Sequence, residues 1–121
     1  MATSLQPLSQ TLKAGGTIVE GHALKYGADA KHVVECTATT DKSIGIAQGS
    51  AASGDPVEVA RPGGGAKAKA QTTIAAGDPL TSHTDGTLKP ASTGDRIVAF
   101  ADDGAVVGDM FPVVVQLGKL P

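Results

Sequence analysis

The chain has 121 residues and a formal net charge of −2, which fits one compact domain. Without clustered Lys and Arg it lacks the cations that nucleic-acid binding requires, so no nucleic-acid partner is expected. No apolar run approaches the roughly 20 residues of a membrane span, so no membrane partner is expected either.

The residue content points to a β-rich fold. Gly and Pro number 16 and 7, and such residues mark turns between short apolar runs. With no Trp, one Tyr and two Phe, the core must be built from Val, Ile, Leu and Ala. Such a core makes a marginal monomer, which favours a homo-oligomer. The single cysteine, Cys36, cannot form an internal disulfide, which fits synthesis in a reducing cytoplasm.

The first 16 residues are predicted to form an N-terminal arm, followed by a single β domain over residues 17–121. The segment is polar, contains Pro7 and ends at Gly15-Gly16. These features favour an extended arm, although its leucine spacing could also make one helical face. We expect the arm to contact a partner through its leucines, which are Leu5, Leu8 and Leu12.

Short strands separated by turns are predicted from Thr17 onward. Apolar and polar residues alternate over Ser43–Ala47 and again over Pro56–Ala60. This alternation puts one face of a strand in the core and the other in water. Ala66–Ala70 alternates Ala with Lys, as is typical of an exposed edge strand.

The strand-and-turn pattern occurs twice along the chain. Thr73–Leu80 matches Thr17–Leu24 at an offset of 56 residues, and Val98–Ala101 matches Ile44–Ala47 at an offset of 54. We interpret this as an internal repeat over about 17–60 and 73–117, with chance matching of small residues as the alternative. The predicted fold is all-β, with the two units closing one small barrel or packing as a sandwich.

Gly-Asp pairs before apolar runs are predicted to be structural turns. Glycine supplies a positive φ, and the carboxylate can accept a backbone N–H two residues further on. The alternative is a metal loop, but the carboxylates are scattered one per turn, whereas a calcium loop needs several at ligand spacing. The predicted turn residues are Gly54, Asp55, Gly77, Asp78, Gly108 and Asp109.

No arrangement of residues points to catalysis or to a cofactor. The histidines and the cysteine lack the spacing of a zinc site. Lys67 follows a glycine-rich stretch but is not followed by Ser or Thr, as a phosphate loop requires. The hypothesis is therefore a protein that is not an enzyme and that holds no metal or cofactor.

Four segments resemble the capsid decoration (cement) proteins of tailed bacteriophages, in the group catalogued as domain of unknown function 2190. They read TIVEGHALKYG, SIGIAQGSAASGDPVEVA, TIAAGDPLTSHTDGTLKP and IVAFADDGAVVGDMFPVVV. The sequence departs from the pattern of that group at His22, where the turn has no Asp.

The resemblance implies a small trimeric β-barrel or sandwich on the outer surface of the virion. There it would bind the major capsid protein of the mature icosahedral head and stabilise the contacts between capsid subunits. The alternative is a β-rich binding or adhesin module of a phage tail or fibre.

Overall fold

Ten strands make up the part of the chain that the structure describes. A computed structural model describes residues 9–27, 29 and 31–119, with Lys119 described by its backbone alone. Over this part of the chain, no helix has the length and apolar character needed to cross a bilayer. The strands are β1 (Ser9–Ala14), β2 (Ala23–Tyr26), β3 (His32–Glu35), β4 (Gly45–Ala47), β5 (Pro56–Ala60), β6 (Gly65–Lys69), β7 (Pro79–Ser82), β8 (Leu88–Pro90), β9 (Arg96–Ala101) and β10 (Met110–Lys119).

The first five strands form a closed barrel, which we call the first unit (residues 9–60). Its strand order is β1-β3-β2-β4-β5, and β5 pairs with β1 to complete the ring. All pairs are antiparallel except β1 with β3, which is parallel. Alternating side chains therefore point into one enclosed interior.

The last five strands form a five-stranded sheet with the corresponding strand order, which we call the second unit (residues 65–119). Their order is β6-β10-β9-β7-β8, so each pairing has its counterpart in the first unit. A parallel bridge between Ala70 and Leu88 stands where β1 pairs with β3. The predicted all-β fold, a small barrel or sandwich built from two duplicated units, is confirmed: the first five strands close a barrel and the last five form a second sheet.

The two interiors are filled from corresponding positions. Each contains nine buried apolar side chains at matching places in the strands and turns. They are Leu12, Ala14, Ile18, Leu24, Val33, Ile44, Ala47, Val57 and Val59 in the first unit, and Ala68, Ala70, Ile74, Leu80, Leu88, Val98, Ala101, Phe111 and Val113 in the second.

The units pack against each other and form one domain. Ala23, Cys36, Ile46 and Ala60 of the first unit belong to the same buried cluster as the interior of the second. Hydrogen bonds support this contact at the loop between β3 and β4. Arg96 donates its N–H to the carbonyl of Thr39 at 2.8 Å, and the Ser82 hydroxyl donates to the carbonyl of Ala38 at 2.7 Å.

The second sheet is not closed by its own strands, and backbone from the first unit lies at the gap. In the first unit the N–H of Lys13 donates directly to the carbonyl of Lys31 at 2.9 Å. The corresponding N–H, that of Lys69, donates instead to the carbonyl of Gly21 at 3.0 Å, and Ala23 donates to the carbonyl of Gly86 at 2.8 Å. The backbone of residues 21–23 therefore lies between β6 and the turn before β8. It covers part of the edge of β6, which was predicted to be exposed.

The structure corrects the predicted N-terminal arm. Residues 9–14 form β1, which pairs with β3 on one side and β5 on the other. Leu12 and Ala14 are only 8% and 1% exposed, because alternate side chains of a barrel strand face the interior. Leu12 is thus a core residue, and the repeat begins at residue 9 rather than 17. Leu5 and Leu8 lie outside the described residues.

Candidate functional site

The three predicted Gly-Asp turns share one geometry. In each, the N–H of the aspartate donates to the carbonyl three residues earlier at 3.0–3.1 Å, and the glycine has a φ of 86–89°. A positive φ at only the third of the four residues identifies a type II turn, which is why glycine stands there. The turns are Ala52–Asp55, Ala75–Asp78 and Val106–Asp109.

The turn carboxylates accept a hydrogen bond from a different residue than the one predicted. Asp78 Oδ2 accepts the N–H of Ala75 at 2.9 Å, and Asp109 Oδ2 accepts that of Val106 at 3.3 Å. The donor lies three residues before the aspartate rather than two after it. The residues after the aspartate enter a strand directly, and in two of the three turns the first of them is a proline, which has no N–H. Among the described residues, no three His, Cys, Asp or Glu side chains come together as a metal site would need.

The turn that lacks an aspartate obtains its carboxylate from another strand. Val19–His22 has the same shape, with Gly21 at φ +87° and a 3.2 Å bond from the N–H of His22 to the carbonyl of Val19. Glu35 Oε2 accepts the N–H of Val19 at 2.8 Å. The same oxygen lies 2.9 Å from His22 Nδ1 but off the line of a ring hydrogen bond. Glu35 on β3 thus replaces the missing turn aspartate.

The other residues considered for catalysis or ligand binding are Cys36, His32 and Lys67, and none lies in the setting that such a role requires. Cys36 is buried between the units; this burial, with the nearby charge of Asp41, raises the pKa of its thiol to about 11. A thiol protonated at neutral pH is a poor nucleophile. His32 bonds Asp29 at 2.8 Å, which lowers the pKa of that carboxyl. Lys67 lies in the middle of β6, and a phosphate loop would instead place its lysine at the start of a helix.

Exposed apolar side chains occur at one turn of the second unit. Val106 and Val107 are 57% and 69% exposed, and Met110 follows at 40%. We call these three residues the apolar turn surface. The corresponding residues of the first unit are Ala52, Ser53 and Pro56. Since both turns have the same backbone geometry, the valines are not needed for the turn itself and are available for contact with a partner.

A pocket of about 350 Å³ lies on the outside of the first unit, between β1, β3 and the start of β5. Its floor includes the edge of Leu12, and its walls carry two lysines and a histidine. We call it the basic pocket. Its lining residues are Thr11, Leu12, Lys13, Lys31, His32 and Pro56. No sequence motif marks this site, because Lys13 and Lys31 come together only through the parallel pairing of β1 with β3.

Comparisons with known proteins support the fold. No family model and no curated protein matches the chain. A solved structure does resemble it, that of the head fibre gp8.5 N base of bacteriophage phi29. The TM-score is 0.71 and the sequence identity 23%, and the match covers 93% of this chain and 97% of that chain. At this identity the likeness is one of fold, and it extends over almost the whole length of both chains.

Proposed function

We propose that this protein is a structural component on the outer surface of a tailed-phage head. In this proposal it is a non-enzymatic decoration protein that binds the major capsid protein of the mature head and stabilises the contacts between capsid subunits. The observation that carries the proposal is the shared fold with a phage head fibre base over 93% of this chain. The order of the sequence blocks, which resembles that of capsid decoration proteins, points to the same class.

The arrangement of the surface suits such a role. A decoration protein needs a stable scaffold and exposed contacts, and it gains avidity when several copies bind together. The apolar turn surface supplies an exposed contact on a backbone held by two hydrogen bonds of Asp109. We include homotrimer formation in the proposal, because an aromatic-poor core gains stability from association.

A binding experiment tests the proposal. Purified protein is mixed with empty heads, either expanded or unexpanded, and sedimented. We expect the protein to sediment with expanded heads and to raise the temperature at which they disassemble, since a ligand of one state stabilises that state. Failure to bind expanded heads, or binding without stabilisation, would contradict the decoration role.

A matched variant tests the contact surface. Val106→Ala with Val107→Ser copies the residues of the corresponding first-unit turn, Ala52 and Ser53, and keeps the glycine and aspartate. We expect unchanged folding and weaker head binding. The control is Thr93→Ala, at another exposed Gly-Asp turn, Ser92–Asp95. Equal binding by both variants would remove the apolar turn surface from the proposed interface.

The alternative is a fibre base or adhesin module, and the structural neighbour, a head fibre base, favours it. A fibre base binds heads but need not stabilise them, and it carries a further fibre segment or binds the host surface. Disassembly temperature therefore separates the two roles. Binding to host cells by the protein alone would favour the adhesin module.

A further inference from the structure

Within one chain, the two units meet through a turn of the first that docks on the second. Gly21, in the turn Val19–His22, accepts the N–H of Lys69 through its carbonyl at 3.0 Å. The Met110 side chain lies so close to Gly21 that a Cβ there would fall 2.9 Å from its sulfur. The docking surface on the second unit thus consists of the end of β6 and the start of β10.

The turn and the docking surface each have a counterpart elsewhere in the chain, and both counterparts face outward. The surfaces differ in one respect, because the N–H of Lys13 is bonded within its own unit, to the carbonyl of Lys31 at 2.9 Å. The turn Ala75–Asp78 corresponds to Val19–His22 at an offset of 56 residues, and the space around its glycine is open. In the basic pocket, Lys13 corresponds to Lys69 and Pro56 to Met110. Each chain therefore has one turn and docking surface in contact, and one of each facing outward.

The charges of the two outward-facing surfaces are complementary. Lys13, Lys31 and His32 surround the pocket, and the free turn carries Asp78 where the docked turn has His22. One oxygen of the Asp78 carboxylate accepts the N–H of Ala75, so its other oxygen can face a lysine.

The residues that line the pocket include two lysines and no carboxylate. Three acidic residues lie nearby: Asp29 is engaged by His32 at 2.8 Å, Glu58 lies across the ladder from Thr11, and Asp55 precedes Pro56. The charge complementarity is therefore local, between the two lysines of the lining and the carboxylate of Asp78.

We propose that the turn Ala75–Asp78 of one copy docks in the basic pocket of a second copy, at the surface that corresponds to the one on which the turn Val19–His22 docks within each chain. The inference rests on the self-association included in the proposed function. Because the N–H of Lys13 already donates to the carbonyl of Lys31, the docked turn contacts the pocket through side chains and does not enter the ladder. The interface is head-to-tail, and such an interface makes a ring when the rotation closes.

Charge reversal tests this interface by sedimentation equilibrium over a wide concentration range. Asp78→Lys and Lys31→Glu each place like charges together, and we expect each to weaken self-association at least about tenfold. A single chain that carries both changes again has opposite charges at positions 78 and 31, and should recover association to within about threefold of the original.

Two controls separate association from folding. Asp95→Lys alters a turn of the same kind, Ser92–Asp95, in which Asp95 accepts the N–H of Ser92 at 2.8 Å, so it loses the same hydrogen bond outside the proposed interface. Lys42→Glu reverses an exposed lysine away from the pocket. Both should associate as the original chain does, and melting temperatures should match between each variant and its control.

Three results would overturn the inference. They are an original chain that stays monomeric, single variants that associate normally, and a double variant that does not recover. Head binding is measured separately on the same samples. A monomer that binds expanded heads contradicts the interface but leaves the decoration role intact, whereas a ring that fails to bind heads supports the interface and contradicts that role.

Discussion

The two units of this chain have the same strand order, yet they fill their interiors differently. Leu12 and Val57 are directly opposite each other on β1 and β5, and Ala68 and Phe111 hold the corresponding places on β6 and β10. One unit thus combines two medium side chains where the other combines a small and a large one. The comparison teaches that the fold constrains the summed volume of a facing pair more than the size of either residue, as close packing requires.

The units also differ in where one turn obtains its carboxylate and in how the edges of the sheet are joined. The turn at Asp78 contains its own carboxylate, whereas the turn at Val19 uses Glu35. The first unit closes by direct pairing of β1 with β3, whereas the second takes residues 21–23 into the gap. The second unit therefore needs backbone from the first unit to fill this gap, whereas the first unit closes with its own strands.

The largest expected effect on stability comes from the pair that Ala68 and Phe111 form across β6 and β10. Phe111→Ala should lower the free energy of unfolding by about 3–5 kcal/mol, because Phe111 fills the second interior and its loss leaves a cavity. Val57→Ala, at the corresponding place in the first unit, should cost less, since fewer atoms are removed. Urea unfolding followed by circular dichroism measures both. Because the units share a buried cluster, we expect one transition.

An exchange variant sharpens this prediction. Phe111→Val combined with Ala68→Leu copies the first-unit pair into the second unit. The combination should be more stable than Phe111→Val alone, with a coupling between the two sites of about 0.5–3 kcal/mol. Additive effects of the two changes would show that the pairs do not compensate in volume.

The next-largest effect is a difference in stability loss between the docked turn at Gly21 and the free turn at Gly77. Gly21→Ala and Gly77→Ala both place a side chain at φ +87°, which costs about 1–2 kcal/mol. Gly21 is also crowded, with the new Cβ 3.0 Å from the backbone nitrogen of Lys69, whereas the space at Gly77 is open. We expect Gly21→Ala to lose about 1–3 kcal/mol more. Equal losses in thermal unfolding would mean that the docked turn adds nothing to stability.

A smaller effect tests the substitute carboxylate. Glu35→Ala should cost about 1.5–3 kcal/mol, because the N–H of Val19 loses a charged acceptor at 2.8 Å. His22→Asp in the same chain restores an acidic residue at the usual turn position and should recover part of the loss. Urea unfolding of the single and double variants checks this. A double variant no more stable than Glu35→Ala would show that the two carboxylates are not interchangeable.

The smallest effect is a pH dependence in the loop after β3. Burial by itself raises the pKa of Asp41, but the N–H of Thr37 and the Lys25 ammonium at 3.0 Å outweigh it and hold the pKa below 3.8. A carboxyl with a lowered pKa stabilises the fold above its unfolded value, and that contribution is lost as the pH falls through the folded value. Asp41→Asn should therefore cost on the order of 1 kcal/mol at neutral pH.

This difference should shrink as the pH is lowered below 3.8. Urea unfolding of both proteins across the acid range measures it. A difference that is independent of pH would show that the carboxylate charge of Asp41 does not contribute.

The amino-acid sequence by itself determined the fold class, the repeat and the positions of the turns. These features are local, because period-2 alternation marks a half-buried strand and a glycine marks a positive φ. The match of Thr17–Leu24 with Thr73–Leu80 could be read directly from the sequence. The alternation of residues 66–70 is also visible in the sequence, and at the same offset of 56 it corresponds to residues 10–14.

Only the tertiary structure determined which distant segments of the chain pair with each other. Leu12 becomes a core residue because β1 pairs with β5, more than 40 residues later in the chain. Glu35 serves the turn at Val19 from another strand, and Lys13 and Lys31 share a pocket only through the pairing of β1 with β3. Each of these contacts joins distant segments, and short-range periodicity carries no information about which distant strands will pair.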